Sequence, residues 1–183
     1  MIYPIVLFGN QILRKEASDI DAGYPNLQEL IADMFETMYH ARGCGLAAPQ
    51  IGLPINVFVI DTTEMEEETE GEKPAPVKMA FVNAEIIDRF GENAVFCEGC
   101  LSVPGISENV VRKESITIEY DDENFQRQRR NFSGMAARVI QHEYDHIMGK
   151  TFIDRISPLK RTLLKGKLND ISRGKMQVKY KTK

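Results

Sequence analysis

Cysteine is scarce in this chain. Of 183 residues only Cys44, Cys97 and Cys100 carry thiols, an odd number that excludes a full disulfide framework and favours a reducing compartment with functional thiols. Long hydrophobic runs are missing as well: the longest apolar stretches, such as Ile55 to Ile60, are strand-sized, whereas a bilayer-spanning helix needs roughly 20 apolar residues. No membrane association is expected. Met1 to Phe8 is apolar, but Pro4 interrupts it, and neither a basic flank nor a small-residue cleavage site accompanies it, so the cytoplasm is the expected location. No repeat period is visible, which excludes solenoids and propellers.

What is present is globular composition, 43% hydrophobic and 27% charged, at a length that suits one domain over residues 1–183. The net charge of −4 hides two opposed segments. Residues 62–76 hold six Glu and one Lys and read as a mobile acidic insertion, while residues 158–183 hold nine Lys or Arg against Asp170 alone. Leu27, Leu30, Ile31, Met34, Phe35 and Met38 recur at helical spacing and predict an amphipathic helix over Asn26 to Arg42. The following GCGLAAPQIG is too rich in Gly and Pro for a regular element and reads as a shaped loop. Ile55 to Ile60, Val77 to Ile87, Asn93 to Phe96, Ser115 to Tyr120 and Phe125 to Phe132 are strand candidates, several of them antiparallel neighbours. Ser133 can cap a helix running to Gly149, and a last helix begins near Pro158. There Leu159, Leu163, Leu164 and Leu168 would pack one face on the body and leave the residues after Asp170 free. Strands followed by helices, without βαβ alternation, indicate α+β: antiparallel strands around a helix bearing the chemistry, with an N-terminal amphipathic helix and a C-terminal helix.

The chemistry concentrates in His142-Glu143-Tyr144-Asp145-His146, which uses two of only three histidines. Residues four apart share a helix face, so these imidazoles can hold one metal ion, and Glu143 beside them can take and return a proton. A catalytic site needs a third protein ligand. The zinc peptidases of this pattern place it downstream, but the expected position is Phe152, and Glu143 is the last glutamate of the chain. The ligand should come from upstream. Cys100, in Glu98-Gly99-Cys100-Leu101-Ser102, is the outstanding candidate because a thiolate binds borderline metals strongly. A redox Cys97-x-x-Cys100 pair is the competing reading; Pro104 and Gly105 argue against the helix it requires, and Cys97 is expected to pack as a small buried thiol.

Together Gly43-Cys44-Gly45-Leu46-Ala47-Ala48-Pro49-Gln50, Glu98-Gly99-Cys100-Leu101-Ser102 and Gln141-His142-Glu143-Tyr144-Asp145-His146 resemble the three signature motifs of the peptide deformylase family, in order, over roughly residues 1–170. The resemblance implies a hydrolase that removes the formyl group from nascent polypeptides beginning with formyl-methionine and releases formate. It implies one divalent metal ion on Cys100, His142 and His146, ferrous iron in the family, with zinc, nickel or cobalt in preparations. Glu143 would handle protons, Gln50 and the Leu101 backbone N–H would stabilise the oxyanion, and Gly45 would offer backbone to the substrate. Glu98 would pair with Arg112 and pin the cysteine turn.

Val139 and Met135 lie three and seven residues before His142, on the ligand-bearing face, where they serve either core packing or an apolar pocket; Phe96 and Cys44 are further lining candidates. Asp145 reads either as support behind the ligands or as a surface charge. Arg138 stands where certain bacterial members carry an aliphatic residue near the pocket. Related bacterial enzymes dock a C-terminal helix near the ribosomal exit tunnel, so the basic end is expected to face ribosomal RNA or solvent, on a protein acting as a monomer. The alternatives are an HExxH-type metallopeptidase, which would cleave internal peptide bonds, and a non-catalytic ribosome-associated metal-binding module, which would not need Glu143 and Gln50.

Overall fold

Among the described residues, five strands form one antiparallel sheet in the order β1 to β5: β1 Gly45–Ala47, β2 Val57–Asp61, β3 Lys78–Cys100, β4 Val103–Asp121 and β5 Arg127–Ser133. Three α-helices accompany it among the same residues, α1 Leu27–His40, α2 Gly134–Ile147 and α3 Pro158–Ser172. The structure is a computed structural model and describes residues 1–65 and 75–183. The expected acidic insertion at 62–76 therefore lies largely outside the described residues. The α+β class and its antiparallel strands are as expected.

The sheet is buried where helices cover it. Along β2, Phe58 and Ile60 join one apolar cluster with Ala137 and Ile140 of α2, while Val57 and Val59 join another with Met34 and Met38 of α1. This double burial explains the uninterrupted apolar run Val57–Ile60, since both alternating faces of the strand are covered. Phe81 of β3 stacks on Phe58 at 4.7 Å and meets Tyr120 of β4 at 4.6 Å between ring centroids. Each such fully buried ring contributes on the order of 1.5–3 kcal/mol of burial energy.

Three expectations about elements need correction. Val77 to Ile87 and Asn93 to Phe96 are not separate strands but parts of β3, and Ser115 to Tyr120 is part of β4; register shifts at Val82/Glu85, Ile86/Asp88 and Phe90/Asn93, with Gly91 at φ 80°, bend one long hairpin instead of ending it. GCGLAAPQIG is not wholly irregular: β1 pairs with β2, and a 3-10 turn follows over Ala48–Ile51. On α3, Leu168 and Ile171 are buried, but Leu159 and Leu163 are 70% and 76% exposed, so the packed face is narrower than the leucine spacing implied.

The residues beyond α3 are not free either. Ile5 N–H donates to Lys181 C=O at 2.8 Å, and Lys183 N–H returns to Ile5 C=O at 2.9 Å, in a parallel pairing centred on Ile5 and Thr182. Charge alone could not reveal this, because the bonds are between main-chain groups of the two chain ends.

The helix that carries the chemistry ends at Ile147, and the chain turns away at Gly149, whose φ of 68° suits glycine and whose missing side chain makes room for the Arg14 carbonyl, 2.7 Å from where a Cβ would stand. No helix among the described residues is long and apolar enough to cross a membrane.

Candidate metal centre and active site

Helix α2 lies against β1, β2, β4 and β5, so its ligand-bearing face points into the middle of the molecule. His142 and His146, one turn apart, present rings whose centroids are 5.3 Å apart. The β3–β4 hairpin turn brings Cys100 to them: Cys100 pairs with Val103 across Leu101 and Ser102, and its Sγ lies 3.3 Å from His146 Nε2. The three ligand atoms all lie within 4.8 Å of one another. Around a tetrahedral ion with bonds of about 2.3 Å to sulfur and about 2.1 Å to nitrogen, two ligand atoms sit about 3.6 Å apart. The sulfur and imidazole donors therefore fit a divalent ion. Two buried polar atoms beside them, His146 Nδ1 and Glu143 Oε2, have no hydrogen-bond partner among the described residues.

Electrostatics prepare the same arrangement. Burial pushes the Cys100 thiol up, but His146 and His142 outweigh it and hold it near 5, in the thiolate form a metal requires. Burial is the main cause that lifts Glu143 to about 7, with His142 and His146 pulling it down and Cys100 and Glu98 pushing it up. That is the range of a group able both to take and to return a proton near neutrality. Behind the ligands, His142 Nδ1 lies 2.9 Å from Glu98 Oε2, which turns the ring's other nitrogen toward the cradle.

Glu98 is the hub of a buried ion cluster. Arg112 clamps it bidentately, Nε to Oε1 at 2.6 Å and Nη2 to Oε2 at 2.9 Å, and spans onward to Asp145 Oδ2 at 2.8 Å. Asp145 is thus no surface charge: it is buried and also takes Arg155. Arg138 adds a third cation, its Nη1 at 2.8 Å from Glu98 Oε1 and its Nη2 at 2.7 Å from the Ala94 carbonyl, with the guanidinium 5.9 Å from the centre of the Phe96 ring. Sequence reasoning noted Arg138 only as a departure. The available signal was a charge amid the buried positions of an amphipathic helix, which must find partners because an unpaired buried charge is prohibitive.

Gln50 is aimed at the same turn. Its Oε1 accepts the Ala47 N–H at 2.8 Å, which leaves Nε2 to approach Cys100 Sγ at 3.6 Å and Ser102 Oγ at 3.2 Å. Leu101, Gly45, Cys44, Phe96, Met135 and Val139 all line one cavity of about 1080 Å³ that reaches His142 and Glu143. Burial, then Glu143, push the Cys44 thiol up to about 11, so it lines that cavity as a neutral group. Cys97 departs from expectation: it is exposed, because alternation along β3 turns it away from the buried Glu98. Phe152, where the zinc peptidases would carry a histidine, is fully buried and stacks on His142 at 6.2 Å.

Gly45 closes against the carboxylate. A Cβ there would stand 2.4 Å from Glu143 Oε1 and 2.8 Å from its Cγ and Cδ. Gly45→Ala is therefore expected to displace Glu143 and cut turnover by at least about tenfold, a loss within the range for general acid–base groups, while leaving metal content intact. A variant with unaltered turnover would show that the carboxylate has room to spare.

The chain matches the family model of polypeptide deformylases over residues 2–162. It is 51% identical to a peptide deformylase of Christiangramia forsetii, covering 99% of this chain and 95% of that protein, and 50% identical to one of Flavobacterium johnsoniae, covering 100% and 96%. The crystal structure of a peptide deformylase from Legionella pneumophila superposes with a TM-score of 0.81 at 40% identity, over 96% of this chain and 98% of that one. With its metal-ligand set, its hairpin cysteine and its α+β fold in place, the chain belongs to the polypeptide deformylase family.

Proposed function

We propose that this chain is a single catalytic domain that hydrolyses the formamide bond of formyl-methionyl nascent polypeptides and releases formate. The observation that carries this reading is the placement of Glu143, buried with one oxygen unpaired, beside the Cys100, His142 and His146 donors at the end of a largely apolar cavity. A purely structural metal site needs no such carboxylate, and an HExxH peptidase would need a downstream ligand where Phe152 packs in the core.

When bound, the ion supplies Lewis acidity and makes water acidic enough to be deprotonated near neutrality. Glu143 accepts that proton as the water oxygen bonds to the formyl carbon. The side-chain amide of Gln50 and the Leu101 N–H donate to the oxygen that becomes negative, held ready by the Ala47 contact and by the two-residue hairpin turn. Glu143 then returns the proton to the methionine nitrogen as the carbon–nitrogen bond breaks, giving formate and a free amine. Gly45 presents its backbone to the peptide, and Cys44, Phe96, Met135 and Val139 enclose the methionine side chain. Glu98 and Arg112 orient His142.

The test is formate release from formyl-Met-Ala-Ser by protein purified without oxygen, with metal content measured on the same sample. Absence of turnover at full occupancy would remove the reading. We assign ferrous iron as the ion on the family resemblance; the thiolate and two imidazoles would hold it. Air is then expected to inactivate the iron form within a preparation while a nickel-substituted form persists; equal lifetimes would point to zinc.

A monomer whose exposed α3 surface faces ribosomal RNA completes the proposal. Its support is the excess of Lys and Arg from Pro158 onward together with the exposed Leu159 and Leu163. Lys165→Glu combined with Lys167→Glu, both on the exposed side of α3, should weaken cosedimentation with ribosomes most at low salt, because phosphate contacts release counterions. Identical cosedimentation across a salt series would exclude the RNA contact.

A further inference from the structure

The C-terminal segment reaches the catalytic turn. Tyr180 Oη donates to the Leu101 carbonyl at 2.6 Å. We propose that Tyr180, held by the paired chain ends, is a positioning residue for the Leu101 backbone donor, an inference that rests on the deformylase reading above.

The chain ends are woven together around the site. In the N-terminal segment, alternate residues face opposite ways: Ile5 and Leu7 bond to Lys181 and Lys183 of the C-terminus, while Val6 N–H donates to the Gln50 carbonyl at 2.7 Å and Phe8 N–H to the Ser102 carbonyl at 2.8 Å. The period of two that governs extended chain makes one strand a bridge between the tail and both catalytic loops. Lys183 Nζ ties the last residue to the Ile51 carbonyl at 2.9 Å, one residue beyond Gln50.

The two-residue turn at Leu101 and Ser102 is thereby held at three points. Gln50 reaches the Ser102 side chain, Phe8 the Ser102 carbonyl, and Tyr180 the Leu101 carbonyl. Without the phenol, the Leu101–Ser102 peptide loses a partner on its carbonyl and gains freedom to rotate. The Leu101 N–H, one peptide plane earlier, then samples directions away from the developing oxyanion. Electrostatic stabilisation is effective only when the donor is fixed before reaction, and removing such a donor outright costs about 10²–10³ in kcat. Loosening one should cost less.

Tyr180→Phe removes the hydroxyl and keeps the ring. The expected result is a kcat lowered about tenfold for formyl-Met-Ala-Ser, with KM within about twofold, full metal content and an unchanged melting temperature. Amide hydrogen exchange supplies a readout independent of turnover: the Leu101 and Ser102 amides should exchange faster in the variant than in wild type. Lys181→Ala, whose side chain is exposed and whose backbone alone makes the pairing, should match wild type in both measurements. A kcat for Tyr180→Phe equal to wild type, unaltered exchange at the turn, or an equal loss in Lys181→Ala would overturn the proposal. Failure of the wild-type protein to release formate would instead remove the deformylase reading, and the exchange comparison would still decide whether Tyr180 restrains the turn.

Discussion

Glu143→Gln is expected to retain its metal and lose turnover by about 10²–10⁴-fold, the range associated with a general acid–base group. The substitution keeps the shape of the side chain and so respects the tight approach of Gly45, where a Cβ would displace the carboxylate. It removes only the capacity to accept and return a proton. Burial lifts this carboxyl to about 7, and His142 and His146 pull against that rise. Formate release and metal content, measured on one sample, check the result. Cys100→Ser provides the contrast: there the metal affinity itself should fall, since a serine hydroxyl stays protonated and is a poorer partner than a thiolate held near 5. A Glu143→Gln enzyme working at nearly the wild-type rate would show that another group carries the proton; among the described residues Asp61, Glu64 and Glu98 also line the cavity, and Glu98 is committed to its cations.

The metal donors were legible because their signal is local or chemically rare. Two of three histidines stand four apart on one helix, and the absence of any downstream glutamate or histidine directs attention upstream to Cys100. The main helices were legible for a related reason, since their apolar spacing repeats within a few turns. The long hairpin was not. Bulges at Asn83, Ile87 and Gly91 interrupt the alternation that would mark β3 as continuous, so a single strand reads as two. Arg138 and Asp145 were equally hard to interpret, because their partners come from β3, β4 and the turn after α2, and only tertiary contact brings those together. Tyr180 carries no pattern at all. Its role depends on a pairing between residues at opposite ends of the chain, whereas the surrounding lysines suggest only solvent.

The fold uses its least economical interaction next to its most demanding chemistry. Glu98 and Asp145 are buried with Arg112 and Arg138, and the exposed Arg155 reaches Asp145 from the rim, three cations against two anions, within one bond of His142 of the candidate metal centre. The surplus cation is Arg155, whose side chain remains partly in contact with solvent. Desolvating such groups costs several kcal/mol each before pairing repays it, so the cluster is better explained by the orientation it enforces on His142 than by stability.

That asymmetry makes Arg112→Met the most damaging single change outside the ligands. Arg112 alone bridges both carboxylates, with its side chain almost wholly inaccessible to water. Its loss leaves Glu98 to Arg138 and His142, and Asp145 to Arg155, and removing one member of a buried ionic network typically costs about 3–5 kcal/mol. Urea unfolding should show a midpoint lowered accordingly, with the slope preserved. Loss of support behind a ligand should also weaken metal affinity about 10–100-fold. The sign of the pH effect follows from the two carboxylates. Burial raises both, but Arg112 and His142 outweigh it at Glu98, and Arg155 and Arg112 at Asp145, so their folded values lie below the ordinary 4.5 and 3.8. The stability they contribute is fully present above those ordinary values and is lost as pH falls through the depressed ones. Removing the shared cation raises the folded values toward the ordinary range, which shrinks that contribution and shifts acid unfolding to higher pH. Arg138→Leu should do this to a smaller extent, since Glu98 keeps its bidentate partner. An Arg112→Met protein that unfolds at the wild-type urea concentration and the wild-type acid midpoint would show that the cluster is held by its surroundings and that the guanidinium orients nothing.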